Sequence, residues 1–109
     1  MEEGGWRPIE TIELAAFEWD ERKREANLSK HGIDFADAAL ALSQPYLAIR
    51  SDRSGEARWL ALAAVNGRVI AVVYVLRAET CRIISARAAR SNEREAYKEQ
   101  FGEGDAGVG

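Results

Sequence analysis

Ala57-Arg58-Trp59-Leu60-Ala61-Leu62-Ala63-Ala64-Val65 and Arg68-Val69-Ile70-Ala71-Val72-Val73-Tyr74-Val75-Leu76 are two apolar runs joined by Asn66-Gly67. Asn-Gly is the preferred pair for a two-residue type I′ turn, whose central residues both need positive φ and whose twist matches the flanking strands. The pair therefore predicts an antiparallel hairpin and sets its register. Val65 falls opposite Arg68, Ala63 opposite Ile70, Ala61 opposite Val72 and Trp59 opposite Tyr74. Successive residues of a strand face opposite sides, and here both sides are largely apolar. Such a hairpin belongs in the middle of a sheet covered on each face.

Working outward, a loop at Ala78-Glu79-Thr80 leads to a further strand, Cys81 to Arg87, whose register no diagnostic turn fixes. Ser91 is placed to cap a last helix ending near Phe101. On the other side, Tyr46 to Arg50 alternates as a strand and Ser51 to Gly55 reads as a loop. Upstream, a short strand ends at Phe17-Glu18-Trp19. Asp20 then caps a helix from Glu21 to about Lys30 that Gly32 ends in a left-handed conformation. Asp34 opens a second helix through Phe35, Ala38, Ala39 and Leu42, closed by Pro45. The order is β-α-α-β-β-β-β-α. This is an α+β fold with an antiparallel four- to five-stranded sheet, two N-terminal helices and one C-terminal helix packed on it. Residues 1–11 and 102–109 lack periodicity and read as flexible tails around a single domain over 12–101.

The chain has 109 residues, the size of one domain. Its longest strongly apolar run, Trp59 to Val65, is too short to cross a bilayer. Met1-Glu2-Glu3-Gly4-Gly5-Trp6 lacks the basic-then-apolar order of a signal peptide, and the single Cys81 makes no internal disulfide. A cytoplasmic protein without membrane contact is the expectation. Net charge is -3, but it is unevenly spread. Residues 1–37 carry ten acids against five bases, whereas residues 68–98 carry seven bases against three acids. That asymmetry fits either a phosphate-binding face or a solvated rim. A free-standing DNA-binding protein fits poorly, since no pair of helices offers a basic recognition helix.

Several segments occur in a recognisable order. Phe17-Glu18-Trp19-Asp20 is followed by Lys23 and by Asn27-Leu28-Ser29-Lys30-His31-Gly32-Ile33-Asp34-Phe35. Arg58-Trp59, Val73-Tyr74 and Arg82-Ile83-Ile84-Ser85-Ala86-Arg87-Ala88-Ala89 follow, with Glu93 and Tyr97. This set resembles the BrnT family of type II toxins, small RelE-like ribonucleases paired with a DNA-binding antitoxin. The resemblance covers roughly residues 17–98. It implies a bacterial, RelE-like endoribonuclease that cleaves RNA without a metal. It also implies a cognate antitoxin of ribbon-helix-helix type, with DNA met only indirectly through that partner. The chain departs from the pattern at residues 1–16, an extension, and at Ala88, where the family commonly has Lys or Arg.

Metal-free RNA cleavage needs a base for the 2′-hydroxyl, an acid for the leaving oxygen, and cations for the charge that builds on phosphorus. Arginine suits the last role, because its planar fork grips two phosphate oxygens and stays charged. The hairpin register places Arg58 opposite Val75, with Arg77 two residues further on the same face. Two cations so placed repel unless a phosphate, or a carboxylate such as Glu56 or Glu79, lies between them. Strict alternation puts Ser85 and Arg87 on one face and Arg82 on the other with Ile84 and Ala86. Arg87 joins the catalytic candidates through its place in the family segment, and a salt bridge to Glu93 is its structural alternative. Being exposed charges, these arginines should add little to stability.

On the first helix Lys23, Asn27, Lys30 and His31 share one polar face, either solvated or laid along RNA. His31 is the only histidine and the cheapest acid-base group, although a cation there also complements the helix dipole. Tyr97 could meet a base or pack in the core. The catalytic candidates are thus Arg58, Arg77, Arg87 and His31. Lys23, Asn27, Lys30, Arg82 and Tyr97 are candidates for RNA binding. One His and one Cys make neither a His-rich metal site nor a zinc knuckle, so no cofactor is expected. A non-catalytic binding module acting only within a complex is the alternative to the ribonuclease.

Overall fold

The computed structural model describes residues 5–10 and 16–102, and the expectations for residues 1–4, 11–15 and 103–109 lie outside them. Strands β1 (Arg7–Ile9) and β2 (Ala16–Glu18) precede helices α1 (Glu21–His31) and α2 (Phe35–Ala41). Strands β3 (Tyr46–Arg50), β4 (Trp59–Val65), β5 (Arg68–Arg77) and β6 (Thr80–Ala88) follow, and α3 (Ser91–Phe101) closes the fold. The architecture is α+β with three helices among the described residues.

The hairpin forms where Asn66-Gly67 places it. Asn66 has φ 53° and Gly67 φ 77°, the two positive values that a type I′ turn demands. The pairing runs from Val65 opposite Arg68 to Trp59 opposite Tyr74, as the turn dictates. The spatial order is β1-β3-β4-β5-β6-β2, so β4 is internal, and β3 through β6 are antiparallel throughout.

The flanks correct the sequence reading. Among the described residues the sheet has six strands and is mixed, because β2 runs parallel to β6. Arg7–Ile9, expected within a flexible tail, pairs antiparallel with β3 as an edge strand. Both outer strands have three residues, too few for a period of two to show in the sequence. Pro8 sits on the edge strand, the place in a sheet that tolerates a residue without an N–H.

Each face carries its own cover. Ile33, Phe35, Ala38, Ala41 and Leu42 pack on Tyr46, Ala61, Ala63, Ile70, Val72, Tyr74 and Ile83. The Tyr46 and Tyr74 hydroxyls hydrogen-bond to each other at 3.0 Å within this layer. On the opposite face Tyr97 of α3 packs on Leu47, Leu62 and Ala71. Helix α3 touches β3, β4 and β5, and beyond its footprint Leu60, Val73 and Ser85 are only half-buried.

The helices begin and end as their caps require. Asp20 accepts from the Arg22 and Lys23 N–H groups, and Gly32, at φ 71°, ends α1 with its N–H on the Leu28 carbonyl. Asp34 accepts from the Ala36 N–H to open α2. Asn27 is buried, and its amide donates to the carbonyls of Ile33 (3.1 Å) and Ala86 (2.8 Å). Its Oδ1 accepts from the Ala86 N–H at 3.1 Å. Strand β2 pairs with β6 only as far as Arg82. Further along, the Asn27 amide serves both backbone groups of Ala86, as a neighbouring strand would.

Candidate functional site

Strand β6 does not keep strict alternation. Tyr74 faces Ile83 but Val73 faces Ser85, so Ile84 is the extra residue of a β-bulge. The consequence is chemical. Arg82 stands opposite Val75, Ser85 opposite Val73 and Arg87 opposite Ala71, which puts all three on the face that α3 partly covers. The expected grouping of Arg82 with Ile84 and Ala86 is therefore overturned by one inserted residue. The doublet Ile83-Ile84 is the only trace of it in the sequence.

Arg58 joins the same face. The Ser51 N–H donates to the Arg58 carbonyl at 2.8 Å, so the β3–β4 pairing continues one residue beyond β4. In that register Arg58, Val75 and Arg82 lie on one rung, two strand spacings or about 10 Å across at the backbone. Arg77 lies one alternate residue further along β5, exposed beside the turn into β6. Val73 and Val75 form an apolar floor between the cations.

Each arginine on the rung has a carboxylate at its side. Arg58 Nε donates to Glu56 Oε1 at 3.0 Å, the carboxylate alternative named above for this position. Arg82 Nη1 donates to Glu18 Oε2 at 3.1 Å. The parallel β2–β6 pairing aligns Glu18 with Arg82, a placement that the sequence did not disclose. The Arg58 and Arg82 side chains remain 28 % and 30 % exposed, so both are half-open to solvent.

Arg87 is held more tightly. Its Nη1 and Nη2 donate to the two oxygens of Glu93 at 2.9 and 3.0 Å, the salt bridge to α3 given as its alternative. Glu93 also accepts from the Arg90 N–H at 2.8 Å. Arg90 is the N-cap residue of α3, and Ser91, expected to cap it, is already helical. The Glu93 carboxylate, reaching back from the third helical position, supplies the half of a capping box that satisfies the N-cap residue's own N–H. The Glu93 side chain is 6 % exposed, so Arg87 is not the minor contributor to stability that its charge suggested. Removing one partner of such a pair strands the other without water.

Hydrogen bonds from Arg87 chiefly, then from the Arg90 backbone, hold the Glu93 carboxyl below the usual carboxylate range. A depressed carboxylate adds stability above its unfolded pKa, and that stability is lost as pH falls through the folded value. Urea unfolding of the parent should therefore weaken as pH falls below about 4.5, where unfolded carboxylates take up protons. Glu93→Gln should be less stable by about 1–3 kcal/mol at neutral pH and should show a flatter acid limb. Equal acid sensitivity in both proteins would contradict this account.

The remaining candidates scatter. Lys23, Lys30 and His31 are exposed on α1, which borders β6. Asn27 faces inward, and its bonds to Ala86 and Ile33 remove it from any ligand. Tyr97 is buried beneath α3, with its ring 4.8 Å from that of Phe101. Burial pushes the Cys81 thiol up to about 12, which disqualifies it as a nucleophile. Among the described residues, no group of three or more His, Cys, Asp or Glu side chains is placed to hold a metal ion. No described helix is long and apolar enough to cross a membrane.

Among curated proteins, none matches this chain. Residues 19–93 match the family model described as the ribonuclease toxin, BrnT, of type II toxin-antitoxin systems. That segment runs from the residue after β2 into the first turn of α3 and carries Arg58, Arg77, Arg82, Arg87 and Glu93. The match spans most of the molecule, and the chain belongs to the BrnT family of type II toxins.

Proposed function

We propose that the chain is a metal-independent, RelE-like endoribonuclease whose active face is the part of the sheet that α3 leaves open. The observation carrying this reading is the bulge at Ile84, which brings Arg82 onto the face of Arg58 and Arg87. Two guanidiniums on one rung, above an apolar floor, suit a phosphate that gains negative charge during reaction. Attack by the 2′-oxygen forms a P–O2′ bond and breaks P–O5′, leaving a 2′,3′-cyclic phosphate and a 5′-oxygen that takes a proton from water to become the 5′-hydroxyl. Arg58 and Arg82 hold the non-bridging oxygens in this scheme, and Arg77 and Arg87 extend the field along the RNA. Glu56 and Glu18, bonded to those arginines, stand where a proton from the 2′-hydroxyl could be taken. His31 complements the C-terminal end of α1, and Lys23 and Lys30 contribute charge near the rim.

Family membership implies an antitoxin partner. We infer that the partner is of ribbon-helix-helix type, covers the arginine face and supplies any contact with DNA. The purified full chain should cleave single-stranded RNA in excess EDTA, leaving cyclic phosphate ends. Expression alone should arrest bacterial growth, and co-expression of the cognate antitoxin should relieve it. Cleavage abolished by EDTA would overturn metal independence. A second reading, a non-catalytic binding module, is favoured by the carboxylates at Arg58, Arg82 and Arg87, which already balance those charges. Intact RNA together with unimpaired growth would establish that second reading.

A further inference from the structure

We propose that Arg50, lying over Trp59 and held by Asp52, forms a stacking subsite for one base of single-stranded RNA. Arg50 and Trp59 are cross-strand partners at the end of β3 and β4, and the guanidinium carbon lies 5.3 Å from the centroid of the indole. Asp52 grips the same guanidinium at two points, Nε to Oδ1 at 2.9 Å and Nη2 to Oδ2 at 2.8 Å. A two-point grip fixes the plane of the fork as well as its position. One face of that plane meets Trp59, while the Arg50 side chain remains 53 % exposed.

The surroundings fit a base and its phosphate. Arg50 and Trp59 line a depression together with Gly5, Trp6, Arg7 and Ile49. Strand β1 pairs with β3 only through Ala48, so the depression opens where the edge strand stops. Two half-buried tryptophans and two arginines around one hollow combine a π-surface with positive charge. That is the pairing with which proteins hold single strands regardless of base identity, and guanidinium planes stack on bases as aromatic rings do. Trp59 directly follows Arg58 but points to the other face of the sheet, so a strand bound at the arginine rung reaches this hollow only by passing round the end of β4.

The proposal rests on RNA being the substrate, and its test separates the two ideas. The probes are an eight-nucleotide 2′-O-methyl oligoadenylate, which lacks the attacking hydroxyl, and its abasic counterpart. Fluorescence anisotropy with the full chain reads the affinity for each. Arg50→Lys keeps the charge and removes the plane, and Trp6→Ala removes the second indole that lines the hollow. Each should weaken oligoadenylate binding about tenfold, in line with the contribution of one stacked base. Abasic binding should stay unchanged, and so should the thermal midpoint of Arg50→Lys. Arg58→Ala should weaken both probes alike. Equal losses on both probes in Arg50→Lys, or none on either, would overturn the subsite. So would a loss confined to antitoxin binding, which would give the hollow to the protein partner. Base-dependent binding without cleavage of unmodified RNA would uphold the subsite while the ribonuclease reading fails.

Discussion

Arg58→Ala and Arg82→Ala should each slow RNA cleavage by about two to three orders of magnitude, the usual cost of one preorganised donor to a developing oxyanion. Their shared rung makes them one device, so the double variant should lose far less than the product of the single losses. Folding should scarcely change. Glu56 and Glu18 are 39 % and 42 % exposed, and ion pairs so open to water contribute about 1 kcal/mol or less. Single-turnover cleavage with saturating enzyme, beside a thermal melt, separates the two effects. Cleavage at the parent rate by either single variant would remove that arginine from the reaction. Arg87→Ala is the poorer probe, because it strands the Glu93 carboxylate and so confuses lost activity with lost structure.

Phe35→Ala should cost about 3–5 kcal/mol, the range for deleting a buried aromatic side chain from a core. Phe35 is 0 % exposed and meets the Trp19 ring edge-on, centroids 6.1 Å apart. It opens α2, and its ring joins that helix to the layer containing Tyr46, Tyr74 and Ile83. Domains are typically stable by 5–15 kcal/mol, so this single change removes a large share of the total. Urea unfolding at neutral pH should show the midpoint fall with little change in slope. A loss below about 1 kcal/mol would mean that the layer collapses around the missing ring.

What was legible in the chain was local. Asn66-Gly67 announced both the hairpin and its register, because a two-residue turn leaves no freedom in pairing. Asp20, Gly32 and Asp34 marked helix ends through hydrogen bonds that span two to four residues. Features that depend on distant partners were not legible. Nothing near Ala16–Glu18 states that it lies parallel to β6, and Arg7–Ile9 is too short to show a period. The face of Arg82 was misread because a bulge needs only one residue, and Ile84 is as apolar as its neighbours. Asn27 looked like part of a polar helix face, since its partners Ala86 and Ile33 offer backbone atoms, which leave no mark in composition. Of the site, Arg58 and the Arg87–Glu93 alternative could be foreseen, while Glu18 beside Arg82 could not.

The Asn27 amide has a consequence for solubility. A sheet edge with unpaired N–H and C=O groups is a template on which another extended chain can grow, the first step of edge-to-edge aggregation. Here the apolar centre, β4 to β6, is flanked by short strands, and beyond β2 the edge at Ala86 is already occupied by a side chain from α1. A carboxamide can satisfy one residue of a ladder, but it presents no further ladder of its own. The exposed side of β6 is thereby closed at that point to recruitment of a second molecule, at the cost of one buried asparagine.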